Sequence, residues 1–235
     1  MDERTARELI VEVGKRLYAK DFVASNDGNI SLRLDEERLL ITPTGVSKGY
    51  MTEEMLLVVD LQGRVLQGKM KTTSEMPLHL AIYEERPDVQ AVVHAHPPTA
   101  TGFAVARIGL DKISLPEVIY NLGAISLASY GTPSTNELPN AVRKVIGDSD
   151  GVLLANHGAV TVGSDVMQAY YRMETLEAVA KITLTARLLG GETFLPQEEV
   201  ERLYAMKRGS ITKTDIDSAM VAEVIARVMK ELEDT

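Results

Sequence analysis

The 235-residue chain carries 25 Lys and Arg against 34 Asp and Glu, for a formal net charge of -9, with 45% hydrophobic and 25% charged residues. That balance suits a globular protein with an ample core and argues against a nucleic-acid partner, whose surface would show as clustered Lys and Arg. With no Cys anywhere, disulfides, thiolate ligands and Cys nucleophiles are excluded together, so any metal must be held by His and carboxylate.

Leu9, Ile10, Val13 and Leu17 recur at helical spacing and predict an amphipathic opening helix over Ala6 to Lys20. The start of the chain is charged and periodic rather than a basic tip before an apolar run, and no stretch approaches the roughly 18 apolar residues of a membrane span. The expected location is cytoplasmic, with no membrane partner. Ser25-Asn26-Asp27-Gly28-Asn29 breaks the helix, after which Ile30–Leu34 and Leu39–Thr42 read as strands of an antiparallel hairpin. Leu56–Asp60 and Arg64–Leu66 form a second hairpin around Gly63.

A helix is expected from Met76 to Glu84, with Pro77 tolerated in its first turn. Val89 to His96 reads as a buried strand stopped by Pro97 and Pro98, and Thr99 to Ala106 as the next helix. Beyond Leu115–Asn121 come a short apolar strand near Ile125, a helix over Asn136–Ile146 and a buried strand at Gly151–Ala155. A long helix then runs from an N-cap at Ser164 to Leu189, before Gly190-Gly191. No linker or repeat interrupts the chain. The expected fold is α/β: one domain over residues 1–209, a central, mainly antiparallel sheet flanked by helices, with 210–235 as its C-terminal helical tail.

Side chains alternate across a strand, so His94 and His96 share a face roughly 7 Å apart at their Cα atoms, which suits two ligands on one metal. A lone His-x-His fits a polar pair at a strand edge equally well. His157, where a buried strand meets a Gly turn, supplies a third ligand. The last of the chain's four His, His79, lies inside a helix and reads as structural or partly exposed. Glu75 falls at that helix's N-terminus, where negative charge is favoured. By itself it is an ordinary first-turn acid; beside a three-histidine site it becomes a carboxylate able to move a proton while the metal stabilises an enediolate. Gly28-Asn29, Thr44-Gly45 and Thr73-Ser74 sit at strand or helix junctions, either as turn chemistry or as backbone N–H cradles for a phosphate.

Taken in order, Ser25-Asn26-Asp27-Gly28-Asn29-Ile30-Ser31, Ile41-Thr42-Pro43-Thr44-Gly45, Thr73-Ser74-Glu75, His94-Ala95-His96-Pro97 and Asn156-His157-Gly158 resemble the class II aldolase and adducin head family, most closely its L-fuculose-1-phosphate aldolases. The resemblance implies one divalent metal per subunit, Zn2+ before Co2+, Mn2+ or Fe2+, held by His94, His96, His157 and, at rest, Glu75. It implies that Gly28, Asn29, Thr44, Gly45, Thr73 and Ser74 hold the phosphate of a phosphorylated ketose. By the same resemblance the C3–C4 bond breaks to release dihydroxyacetone phosphate and an aldehyde, and Glu75 serves as acid/base. Tyr120 of a neighbouring subunit then handles the proton on the aldehyde oxygen, which makes the active sites intersubunit in a four-fold homotetramer.

Ribulose-phosphate 4-epimerases of the same fold carry Asp where this chain has Glu75, which favours aldol cleavage over epimerisation. Methylthioribulose-1-phosphate dehydratases share the metal set and remain an alternative. Adducin-like interaction proteins would be expected to lose the metal residues. A cupin-type oxygenase would need a glutamate shortly after His-x-His, and Pro97 to Gly102 contains none.

Overall fold

The computed structural model describes residues 2–147, 149–207 and 209. Helix α1 spans Glu3–Ala19, beginning earlier than the apolar periodicity suggests because the Asp2 side chain accepts from Thr5 N and caps it. Strands β1 (Asn29–Arg33) and β2 (Arg38–Ile41) pair antiparallel, as do β3 (Leu57–Asp60) and β4 (Val65–Gln67). Both expected hairpins are therefore present. Helix α2 (Met76–Glu85), strand β5 (Ala91–Ala95) and helix α3 (Pro98–Ala106) follow within a residue or two of their expected limits. Leu115–Asn121 resolves into helix α4 (Pro116–Leu122), which precedes β6 (Ile125–Ala128), helix α5 (Glu137–Arg143) and β7 (Gly151–Leu154).

One strand has no counterpart in the sequence reading. Gly158–Gly163 forms β8, buried along its whole length between β5 and β7. Pairing on both edges, not local propensity, makes this glycine-bounded segment a strand. Helix α6 (Val166–Leu188) is capped by Asp165 rather than Ser164: the Asp165 side chain accepts from Gln168 N, and Gln168 Oε1 accepts from Ser164 N.

The sheet order is β4-β3-β2-β1-β5-β8-β7-β6, and every pairing is antiparallel except β6 with β7. It is thus an α/β fold on a mainly antiparallel sheet. On one face Leu39, Ile41, Val59, Val92 and Val160 pack with Leu78 and Ile82 of α2 and with Leu138 and Val142 of α5. The alternate residues, Leu40, Val58 and Val93, are also fully buried, on the face where α1, α3 and α6 pack on β1, β5 and β8. Each such side chain contributes on the order of 1.5–3 kcal/mol of apolar burial, so the central strands are rigid supports for what their ends carry.

A second compact unit begins at Pro196, of which helix α7 (Gln197–Lys207) is described. The expected tail over 210–235 lies outside the described residues. No described helix is long and apolar enough to cross a membrane.

Candidate metal centre

His94 is next to last in β5, opposite Asn29 of β1 and Val160 of β8. By strand alternation it shares the face of Val92, the one covered by α2. His96 stands just past the strand end, its backbone N–H bonded to Phe22 O at 2.8 Å. His157 occupies the tight turn between β7 and β8, after Asn156 in the left-handed region at φ 56°, where Asn is tolerated. Gly158 is required here: a Cβ would come within 2.5 Å of His96 Cδ2 and 2.6 Å of Ala95 O. Gly28, at φ +71°, is required likewise, since a Cβ would meet His94 O at 2.9 Å. Two of the sequence motifs thus contain glycines because backbone or ring must pass close to the β5 end.

The ligand atoms of His94, His96 and His157 lie within 4.8 Å of one another. His94 Nδ1 is 2.9 Å from Ala159 O, a carbonyl that can only accept, so Nδ1 carries a proton. A neutral His94 then presents a bare Nε2 lone pair 3.2 Å from His96 Nε2 and 3.1 Å from the Glu75 Oε2 carboxylate oxygen. Glu75 Oε1 lies 3.2 Å from His157 Nε2 yet is buried with no hydrogen-bond partner. Acceptors facing acceptors in a buried space are unfavourable unless a cation joins them.

The titration behaviour carries the same demand. For His94, burial lowers the pKa but is outweighed by the Glu75 charge and hydrogen bond and by the Ala159 carbonyl, leaving it raised. For Glu75, burial raises the pKa but is outweighed by His94, His157 and the Asn29 amide, holding its carboxyl well below the usual range. His157 is pushed down to about 4, first by burial and then by His94, and His96 is lowered by the same two causes. The shifts ask for positive charge beside the Glu75 carboxylate, among imidazoles that burial otherwise keeps neutral. Ligands on an ion at ~2.0–2.1 Å stand roughly 3.4 Å apart, close to the 3.2 Å between His94 and His96 Nε2. The residues present therefore fit a divalent cation.

Glu75 is the N-cap residue of α2 but makes no side-chain cap bond. Instead of using the free helix amides expected nearby, its carboxylate turns to His94, His157 and Asn29 Nδ2, the last at 2.8 Å. Its backbone N–H donates to Thr73 Oγ1 at 3.2 Å. Bonds also join the other junctions to this end of the sheet. Thr44 N donates to Lys71 O at 3.0 Å, and Pro43 bridges Thr72, so the Thr44-Gly45 turn lies beside the Thr73-Ser74 segment. Thr44, Gly45 and Ser74 are exposed, whereas Gly28, Asn29 and Thr73 are buried.

Sequence reasoning missed two neighbours. Lys48 is buried at 1% exposure and donates to Asn26 O at 3.2 Å and Val46 O at 2.8 Å, tying the Gly28 loop to the Gly45 turn. Burial lowers its ammonium to about 8, with Asp27 and Glu75 opposing the shift. Nothing in its flanks distinguishes it from a surface lysine, and lysines are seldom buried. Asp27 Oδ2 stands 3.4 Å from His96 Nδ1, the place of an outer carboxylate that orients a ligating imidazole. His79, read as structural or partly exposed, is fully buried. Tyr120 is 41% exposed and lines a surface depression with Asp165, Met167, Gln168, Tyr171 and Arg172, none of them part of the histidine cluster.

Residues 8–184 match the family described as class II aldolase and adducin N-terminal domain. An L-fuculose phosphate aldolase of Methanococcus maripaludis is 37% identical over 172 residues, 73% of this chain and 92% of that one. A 3-oxo-tetronate 4-phosphate decarboxylase of Haemophilus influenzae is 32% identical over 79% of this chain and 90% of that one. Among solved structures, an L-fuculose 1-phosphate aldolase superposes with a TM-score of 0.81 at 31% identity, covering 87% of this chain and 96% of the other. The chain belongs to the class II aldolase and adducin N-terminal domain family, and with its aldolase-named relatives is an enzyme of the metal-dependent lyase type.

Proposed function

We propose that the protein reversibly cleaves a ketose 1-phosphate, L-fuculose 1-phosphate or a related 5-deoxypentulose 1-phosphate, into dihydroxyacetone phosphate and an aldehyde. The observation that carries this reading is the ionised Glu75 carboxylate seated against His94 and His157 with one oxygen unpartnered. His94, His96, His157 and, at rest, Glu75 would hold a divalent cation, zinc first with cobalt, manganese or iron as alternatives, which would supply Lewis acidity beside the substrate carbonyl.

In the condensation direction, Glu75 removes a proton from C3 of dihydroxyacetone phosphate, and the C3 electron pair attacks the aldehyde carbon. In cleavage the C3–C4 pair stays on C3 and Glu75 returns the proton there. The C4 hydroxyl proton passes to Tyr120 of the partner subunit acting as its phenolate, the form that tyrosine takes when it protonates the alkoxide in condensation; a four-fold homotetramer is the assembly that would bring it to the site. Gly28, Asn29, Thr44, Gly45, Thr73 and Ser74 receive the phosphate, with the Lys48 ammonium bonded to the loops that carry Gly28 and Gly45.

A second reading has support from the relative named as a decarboxylase. Loss of CO2 from a phosphorylated 3-oxo acid also leaves an enolate, which the same cation and carboxylate would serve. Incubating metal-loaded protein with both substrate classes separates them by product. The expected result is dihydroxyacetone phosphate, abolished by a chelator and restored by zinc or cobalt. CO2 from 3-oxo-tetronate 4-phosphate, without cleavage of any ketose 1-phosphate, would establish the second reading. Water loss or an isomer of unchanged mass would identify a dehydratase or epimerase instead.

A further inference from the structure

Helix α2 and strand β1 meet along a polar seam that the metal site does not by itself require. Glu75, His79 and Tyr83 recur every four residues on one side of α2, and Asn29, Ser31 and Arg33 alternate along one face of β1. Asn29 Nδ2 donates to Glu75 Oε2 at 2.8 Å, and His79 Nε2 lies 2.5 Å from Asn29 Oδ1. Ser31 Oγ is 2.6 Å from His79 Nδ1 and 2.9 Å from Tyr83 Oη. The Arg33 guanidinium covers the Tyr83 ring, its Cζ 4.8 Å from the centroid. Ser31 and His79 are fully buried, and Asn29 and Tyr83 nearly so.

The polarity of this chain is determined from its Glu75 end. An ionised carboxylate can only accept, so Asn29 must turn its NH2 toward it and its carbonyl oxygen toward His79. That oxygen can only accept, so Nε2 of His79 carries the proton. Burial, and after it the neighbouring His94, lowers the imidazole to about 3; it is neutral, and Nδ1 is a bare acceptor for Ser31 Oγ–H. Ser31 then accepts from Tyr83 Oη–H. From Glu75 to Ser31 each group has one role, while Tyr83 Oη also has Gln90 O within 3.5 Å as a second acceptor. Stability does not call for this arrangement, because a buried polar chain replaced by apolar groups of matching shape is close to neutral. Orientation does.

We propose that His79 is a positioning residue: by donating from Nε2 to Asn29 Oδ1 it holds the Asn29 amide with its NH2 toward Glu75, and so fixes the carboxylate against the three histidines. Without that donor the amide can rotate and present its oxygen to Glu75, repelling the carboxylate from its place. The inference rests on the metal centre proposed above but not on the substrate.

Two measurements test it. Long-range 1H–15N correlation on metal-free protein, with His79 assigned by its loss in His79→Gln, should show the Nε2–H tautomer; the Nδ1–H tautomer would overturn the proposal whatever the metal does. Cobalt binding, read by visible absorption and chelator competition, should weaken by roughly 10- to 100-fold in His79→Phe, the usual cost of losing an outer-shell partner, with an altered band. His79→Gln, whose amide reproduces the donor and the acceptor, should restore both. If His79→Phe does not fold, Ser31→Ala carries the test, since it removes only the hydroxyl that satisfies Nδ1 and should shift the band in the same direction. A lower melting temperature with cobalt affinity and spectrum unchanged would assign His79 to packing alone. Wild-type protein that takes up no cobalt would refute the centre, while the tautomer still decides the seam.

Discussion

Two clusters of largely buried charge stand in the same sheet-based unit, and they differ in how well their charges are satisfied. Around Asp150, Arg86 and Arg172 meet its two carboxylate oxygens at 3.0 and 2.7 Å. Arg86 also pairs with Asp88 and donates to Ile146 O and Ser149 O, while Arg172 donates to Val162 O and Asn121 O. Donors face acceptors throughout, and the cluster ties the ends of β7, β8, α2, α4 and α6 together. Around His94 the opposite holds: a neutral His94 sets its Nε2 lone pair against His96 Nε2 and the Glu75 carboxylate, and Glu75 Oε1 has no hydrogen-bond partner. The difference teaches that a complete charge network holds a fold, whereas an incomplete one awaits something from outside.

Exchanging the amide for the acid at Glu75 probes the incomplete cluster most directly. Glu75→Gln keeps the shape and the three imidazoles, so the protein should still take up zinc or cobalt. Turnover of the ketose 1-phosphate should fall by about 10²- to 10⁴-fold, the usual contribution of a placed acid/base. Steady-state kinetics on protein of measured metal content checks this, and a fully active, fully loaded variant removes Glu75 from the chemistry.

Asp150→Ala should do the reverse. It strips both guanidiniums of their shared partner and should cost about 3–5 kcal/mol of stability, read by urea unfolding. The kcat of the protein that remains folded should stay at the wild-type value. A collapse of kcat at full stability would erase the distinction between the two clusters.

The site was more legible in the sequence than the strand on which it depends. His94, His96, His157 and Glu75 could be found because each sits at an element end marked by Pro or Gly, and those ends are where the chain turns from one sheet strand or helix to the next. β8 could not be found, because Gly158-Ala159-Val160-Thr161-Val162-Gly163 has glycines at both limits and becomes a strand only through pairing with β5 and β7. Yet β8 supplies Ala159 O, which fixes the His94 ring. Lys48 and Asp27 escaped for a related reason: each acts by contact with a loop or ring distant in sequence, and no local spacing records that. His79 lay on the expected helix, but its partners Asn29 and Ser31 come from a strand some fifty residues away, so its neighbours in sequence showed only a core position.

The smallest expected effect separates the seam from both clusters by its pH dependence. His79 is lowered to about 3 in the folded chain, first by burial and then by His94, against Glu75, and an unfolded histidine titrates near 6.5. Its neutral form is the folded one, so its contribution is fully present above pH ~6.5. As the pH falls below that value the unfolded chain gains a proton that the folded chain does not, and stability drops by about 1.4 kcal/mol per unit until the folded group titrates. Unfolding of metal-free protein by urea at pH 6.5 and 5.5 should show this slope as one component. His79→Gln, which has no titrating ring, should be flatter by about 1 kcal/mol over that interval. Equal slopes would mean that His79 is already protonated in the fold, and a doubly protonated imidazole cannot accept from Ser31 in the way the seam requires.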